Sequence, residues 1–231
     1  MTDTQQPTLR ELRGRYAHRG STVDTAYWTI RDAIRSGVIV PGERLIELDL
    51  AAALEMSRTP IREALHRLEV ERLVENAPRR GLIVPVITID DLVEIFEIRE
   101  VLEGLAARRA AQRMSDAERR ALEAAVVQME RAQATDDLTS LSAASAQFHR
   151  LLRSGSKHAR LPALIALLND SQRPLLAHEM APERAEAAIA EHRAIMEAIV
   201  SNDAPLAERL AREHARHALH AQIIAQHLTL N

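Results

Sequence analysis

Ser57-Arg58-Thr59-Pro60-Ile61-Arg62-Glu63-Ala64-Leu65 decides the reading of this 231-residue chain, because it sets polar and cationic side chains at the start of a helix with an apolar face behind them. Ser57 or Thr59 can cap that helix, and Pro60 is tolerated in a first turn whose amides have no helical partner. Arg58 and Arg62 are four residues apart and share one face, opposite Ile61 and Leu65, and Thr59 can offer a hydroxyl to a phosphate. A solvated charged helix would have the same pattern, so the neighbouring segments decide between the two. Upstream, residues 22–36 carry Val23, Ala26, Tyr27, Ile30, Ala33 and Ile34 at helical spacing before Gly37, and Glu47 to Glu55 reads as a short second helix after the Pro41-Gly42 turn. Downstream, the strand-like runs Leu73-Val74-Glu75 and Leu82-Ile83-Val84 flank a hairpin whose tip is Arg79-Arg80-Gly81. Three helices and a basic hairpin predict a winged helix-turn-helix, with the recognition helix in a major groove and the wing at a minor groove.

From Thr88 onward the pattern changes to long amphipathic helices and no strand pattern returns. Helices are expected near 89–113, 116–133 (after the capping box Ser115-Asp116-Ala117-Glu118), 137–153 with Gly155 as its stop, 161–179 with a kink at Pro174, 182–200, and from Asp203 onward. Six helices joined by short loops predict an antiparallel bundle. The fold class is therefore mainly α: a flexible tail over 1–20, a winged helix-turn-helix over 21–86, and a six-helix antiparallel bundle over 87–231.

Composition agrees with a chain that binds duplex rather than single-stranded nucleic acid. Hydrophobic residues make up 46% and charged residues 27%, an ordinary globular balance. The net charge of −3 is unevenly spread, with thirteen Lys and Arg against eleven Asp and Glu over residues 10–85, and seventeen against twenty-one over 86–231. The cationic excess lies where DNA contact is expected. The five aromatic residues, Tyr16, Tyr27, Trp28, Phe96 and Phe148, are scattered, which argues against base-stacking single-strand modules. With no cysteine, no long apolar run and no signal-peptide core at its start, the chain is expected to be a soluble cytoplasmic protein.

Pro41-Gly42-Glu43-Arg44-Leu45, then Ser57 to Glu69, then Arg79-Arg80-Gly81, resemble in order and spacing the DNA-binding signature of the GntR family of bacterial regulators. The resemblance implies operator contacts from Arg58, Thr59 and Arg62 on the recognition helix and from Arg80 and Gly81 in the wing. It also implies a homodimer on a short pseudo-palindrome of double-stranded DNA. Two positions depart from the family pattern, since Glu55 and Arg72 stand where glycine is usual. A left-handed backbone at either would cost roughly 1 kcal/mol, a local strain that leaves the fold intact.

Ten histidines are present, most of them expected at the surface or in packing roles, but His149, His192 and His214 fall on three separate helices and could converge in a bundle interior. The segments Glu97 to Glu103, Phe148 to Leu152, Glu191 to Ile199 and Glu213-His214 resemble the FCD subgroup of the same family. That resemblance implies a divalent metal held by His149, His192 and His214 beside a small carboxylic acid effector, with Arg99 available to the effector's carboxylate. Ser145 stands where the subgroup has an aspartate one turn before the first histidine. A three-histidine zinc or nickel site completed by water or effector oxygens, and a site without metal, therefore both stay open. So do two roles for Arg99, an effector contact or a salt bridge to Glu103 at i+4. An enzyme is not expected: His178-Glu179 is followed by Met180-Ala181-Pro182 rather than by a second zinc-binding histidine, and there is no Walker loop or nucleophile elbow. The function implied is a transcription regulator, commonly a repressor, released from its operator by a metabolite.

Overall fold

A computed structural model describes residues 7–18, 20–176 and 182–229. The chain divides into two compact units, residues 1–88 with 169–177, and residues 89–168 with 178–231.

The first unit begins with α1 (Leu9–Tyr16), which occupies part of the stretch expected to be a flexible tail. Its order has two local causes. Thr8 and Glu11 form a reciprocal capping box, and Leu12 is fully buried in the core of the unit. Next come α2 (Thr22–Arg35), α3 (Glu47–Ala53) and α4 (Arg58–Val70). Ala26, Ile30 and Ile34 of α2 meet Ile61, Leu65 and Leu68 of α4 and Leu54 after α3 in one apolar cluster. Ser57 stands at the N-cap of α4 with extended backbone but makes no side-chain cap bond, so its hydroxyl is left for other partners.

The wing consists of β1 (Glu75–Ala77) and β2 (Gly81–Ile83), antiparallel, with Ala77 opposite Gly81. Its strands lie nearer the tip than the apolar runs suggested, because Leu73 and Val74 are drawn into the core instead of the ladder. Arg79 takes a left-handed φ of 65° in the resulting turn. A third strand-like segment lies alongside: Leu45 N–H donates to the Leu82 carbonyl at 2.8 Å, Gly42 N–H to the Val84 carbonyl at 2.8 Å, and Arg44 pairs with Ile83.

Both departures from glycine are left-handed, at φ 50° for Glu55 and 59° for Arg72. Glu55 gains something in exchange. Its carboxylate meets Arg10 and Arg13 of α1, each at 3.1 Å, and ties the added helix to the end of α3.

The second unit contains α5 (Ile89–Arg113), α6 (Asp116–Ala134), α7 (Leu138–Gly155), the part of α8 (Leu161–Leu176) up to Leu168, α9 (Pro182–Val200) and α10 (Ala204–Thr229). α5 packs on α7, α9 and α10, and α6 on α7 and α9. Small residues set the spacing: Ala106, Ala107, Ala110 and Ala111 of α5 are fully buried in the same core as Ala207 and Ala211 of α10. Gly104 has the side chain of Arg212 where a Cβ would stand. Gly155, read from sequence as a helix stop, lies inside the end of α7, because the Met114 side chain fills the space a Cβ would need. The expected continuation of α8 to Glu179 falls on residues outside those described.

Candidate functional site

Two constellations stand out, one in each unit. In the first, α4 exposes Arg58, Thr59 and Arg62 at its N-terminal end while Ile61, Ala64 and Leu65 are buried. Arg58 reaches Glu47 of α3 at 3.3 Å but remains 67% exposed, so the pair is screened and yields easily to a phosphate. Arg62, Arg79 and Arg80 are exposed and have no carboxylate partner among the described residues. Gly81 has a φ of 76° and Arg44 beside it, with the guanidinium 3.6 Å from where a Cβ would be. Arg44 is a cation that periodicity did not single out. The backbone pairing of residues 42–45 with β2 is what brings it to the wing.

In the second unit, α7, α9 and α10 bring His149, His192 and His214 together, with one ligand nitrogen from each lying within 4.8 Å of the others. Nε2 of His149 and Nε2 of His192 are 3.2 Å apart. Phe148, fully buried, packs its ring 4.6 Å from that of His192 and forms an apolar wall. Burial pushes His149 well below the ordinary imidazole range, and the charges of His192, His214, Arg153 and Arg99 push the same way. Burial also holds His192 well below that range, aided by His214 and opposed by Glu191. Both rings are therefore neutral near pH 7, the form that binds a metal.

Glu191, adjacent to His192, organises the outer side of the cluster. Its carboxylate accepts from His214 Nδ1 at 2.6 Å, from His217 Nδ1 at 2.8 Å, and from Arg184 at 2.8 and 3.0 Å. Burial alone would favour the neutral acid, but those bonds hold Glu191 down at about 2. An ionised Glu191 accepts only, so His214 donates from Nδ1 and turns Nε2 toward the other two rings. His217 remains 61% exposed.

The donor set fits a zinc-type ion. Two imidazole nitrogens sharing a tetrahedral ion with bonds of about 2.0–2.1 Å lie roughly 3.3 Å apart, near the spacing of His149 and His192. His192 Nδ1 is buried without a hydrogen-bond partner, so its orientation is set by packing. Ser145, one turn before His149, brings no charge to the set.

Beside the histidines, α5 supplies Arg99 and Glu103. Arg99 binds Glu103 at 2.7 and 3.0 Å and lies over the Phe96 ring at 4.4 Å. Glu103 is only 4% exposed; burial opposes its ionisation, and Arg99, His214 and Arg153 outweigh that and keep it below the usual carboxylate range. The ion pair that sequence spacing allowed is present. Sequence reasoning passed over Glu191 and Arg153, since nothing in a linear pattern reveals which charged residue faces a histidine on another helix.

Comparisons with known proteins give a family match for each unit. Residues 22–84 match the model of bacterial regulatory proteins of the gntR family, and residues 94–217 match the FCD domain. The chain is 39% identical over 65% of its length to an uncharacterized HTH-type transcriptional regulator of Agrobacterium vitis, covering 89% of that protein. It is 31% identical, over 78% of its length and 80% of the other, to a probable D-xylose utilization operon transcriptional repressor of Paenarthrobacter nicotinovorans. In fold it is similar to McbR/YncC of E. coli, with a TM-score of 0.72, 24% identity, and coverage of 88% of this chain and 98% of that one.

Proposed function

Because the chain belongs to the GntR family of transcription regulators and carries the FCD domain, we propose that it is a repressor whose operator affinity is set by a small carboxylic acid bound at the histidine cluster, beside a zinc or nickel ion. The observation that carries this reading is the convergence of His149, His192 and His214, with the rings of His149 and His192 held neutral and an ionised Glu191 behind His214. A bound divalent ion would supply the positive centre that a carboxylate oxygen seeks. The chain's own groups do the rest. Glu191 orients His214, Phe148 walls off His192, and the Arg99–Glu103 pair sits where an incoming anion can compete for the guanidinium.

On the DNA side, Arg58, Thr59 and Arg62 read one half of a pseudo-palindromic operator while Arg80, Gly81 and Arg44 hold the backbone and minor groove beside it. A homodimer supplies the second half. The acid acts by preferring one of two dimer arrangements, and a preference of about 1–3 kcal/mol changes DNA affinity several-fold to about a hundredfold. The test is fluorescence anisotropy on DNA from upstream of the protein's own gene, at fixed salt, with metal analysis of untagged protein. The reading requires stoichiometric metal or a carboxylate-dependent change in affinity. Protein that binds this DNA with neither property would refute the sensor half of the proposal.

A further inference from the structure

Arg153 lies on α7 one turn beyond His149, so the two side chains share a helix face. It is partly buried, yet among the described residues its guanidinium makes no hydrogen bond and no ion pair. Two other cations near the cluster are matched by carboxylates. Arg99 is held by Glu103, and Arg184 by Glu191. Arg153 is close enough to His149 and Glu103 for its charge to act on both, and its own affinity for a proton is lowered by burial, with Glu103 opposing and Arg99 and Arg150 reinforcing. A guanidinium that has lost part of its hydration and gained no partner is destabilising unless an anion completes it. Four residues on the other side of His149, Ser145 contributes no negative charge. With those two pairs set aside, Arg153 leaves one uncompensated positive charge beside the histidine cluster, and a divalent ion there would raise the total to three.

From this arrangement we infer that the pocket takes a dicarboxylate: one carboxylate at the histidine cluster, the other on the guanidinium of Arg153. The assignment rests on the carboxylate-sensing reading above and sharpens it. A monocarboxylate would leave the Arg153 fork unfilled, whereas a dianion fills it with paired N–H donors in the geometry that arginine and carboxylate share.

The test is calorimetric titration of the full-length protein, both metal-loaded and chelator-treated, with malonate, succinate and glutarate against acetate, propionate and butyrate. For the wild type, at least one dicarboxylate should bind about tenfold or more tighter than its monocarboxylate counterpart. Arg153→Gln should remove that preference and leave monocarboxylate affinity within about twofold, and Arg153→Lys should restore part of it, since the charge returns without the fork. Circular dichroism checks that each variant is folded. If the wild type binds mono- and dicarboxylates equally, or if Arg153→Gln keeps the preference, the role of Arg153 is overturned while the sensing reading stands. If no carboxylate binds in either metal state, the sensing reading fails and this assignment falls with it.

Discussion

Lowering the pH should destabilise the metal-free protein in a window set by the rings of His149 and His192. In the folded chain His149 and His192 are held well below the ordinary imidazole range, so they stay neutral while the same residues in the unfolded chain take up protons near pH 6.5. The unfolded state therefore binds more protons as pH falls through 6.5, and stability is lost in that direction; above about pH 7.5 neither state binds a proton and the effect vanishes. The folded values being low, each ring contributes a slope approaching 1.4 kcal/mol per pH unit, and between pH 6.5 and 5.5 each should cost about 1 kcal/mol. Mutual repulsion links the rings, so the pair should cost about 1–2 kcal/mol over that unit. The carboxylates held low, Glu191 and Glu103, lose their contribution only as pH falls toward and below the ordinary carboxylate range, beneath this window. Urea unfolding of chelator-treated protein, followed by circular dichroism from pH 5.5 to 7.5, measures the slope directly. His192→Gln should reduce it. A flat profile in the wild type, or an undiminished slope in the variant, would show that the rings are not held neutral and would remove the basis for a metal-ready cluster.

Glu55→Gln keeps the left-handed backbone but loses the ion pairs to Arg10 and Arg13, and should cost about 0.5–1 kcal/mol; Glu55→Gly loses the same pairs yet regains about 1 kcal/mol of backbone strain, so thermal unfolding should place it near wild type. Arg62→Gln should weaken operator binding about tenfold and lower the salt dependence by roughly one phosphate contact, measured by anisotropy across a salt series. Gly155→Ala should destabilise the helical unit by about 1–3 kcal/mol, because the added methyl must displace Met114, and chemical denaturation would read the loss.

Architecture was legible where apolar periodicity was long. The helices of the second unit and the α2–α3–α4 order follow from spacing alone, since each buries a stripe several turns long. α1 was not legible, because an eight-residue helix with two leucines has too few repeats to register. What orders it is Leu12 in the core and Glu55 at the far end of α3, a tertiary cause. The wing shifted toward its tip for a similar reason. Leu73 and Val74 look like strand residues, but the core competes for them and wins. Gly155 misled in the opposite sense, a residue that often stops helices being required here for the close approach of Met114.

The ligand site divides along the same line. Three histidines on three helices could be named from the sequence because identity and helix spacing suffice to nominate ligands. Their protonation could not, because it depends on burial and on Glu191 reaching His214 across helices. Arg153 is the extreme case. A linear pattern shows an arginine at i+4 from a histidine, as common on a solvated face as in a pocket. Its significance lies in a contrast with its neighbours, since Arg99 and Arg184 each hold a carboxylate and Arg153 holds none among the described residues. On the proposed reading, charge matching within the bundle ties the identity of the ligand to a residue outside the three histidines, and specificity would change through that one position while the histidines stay fixed.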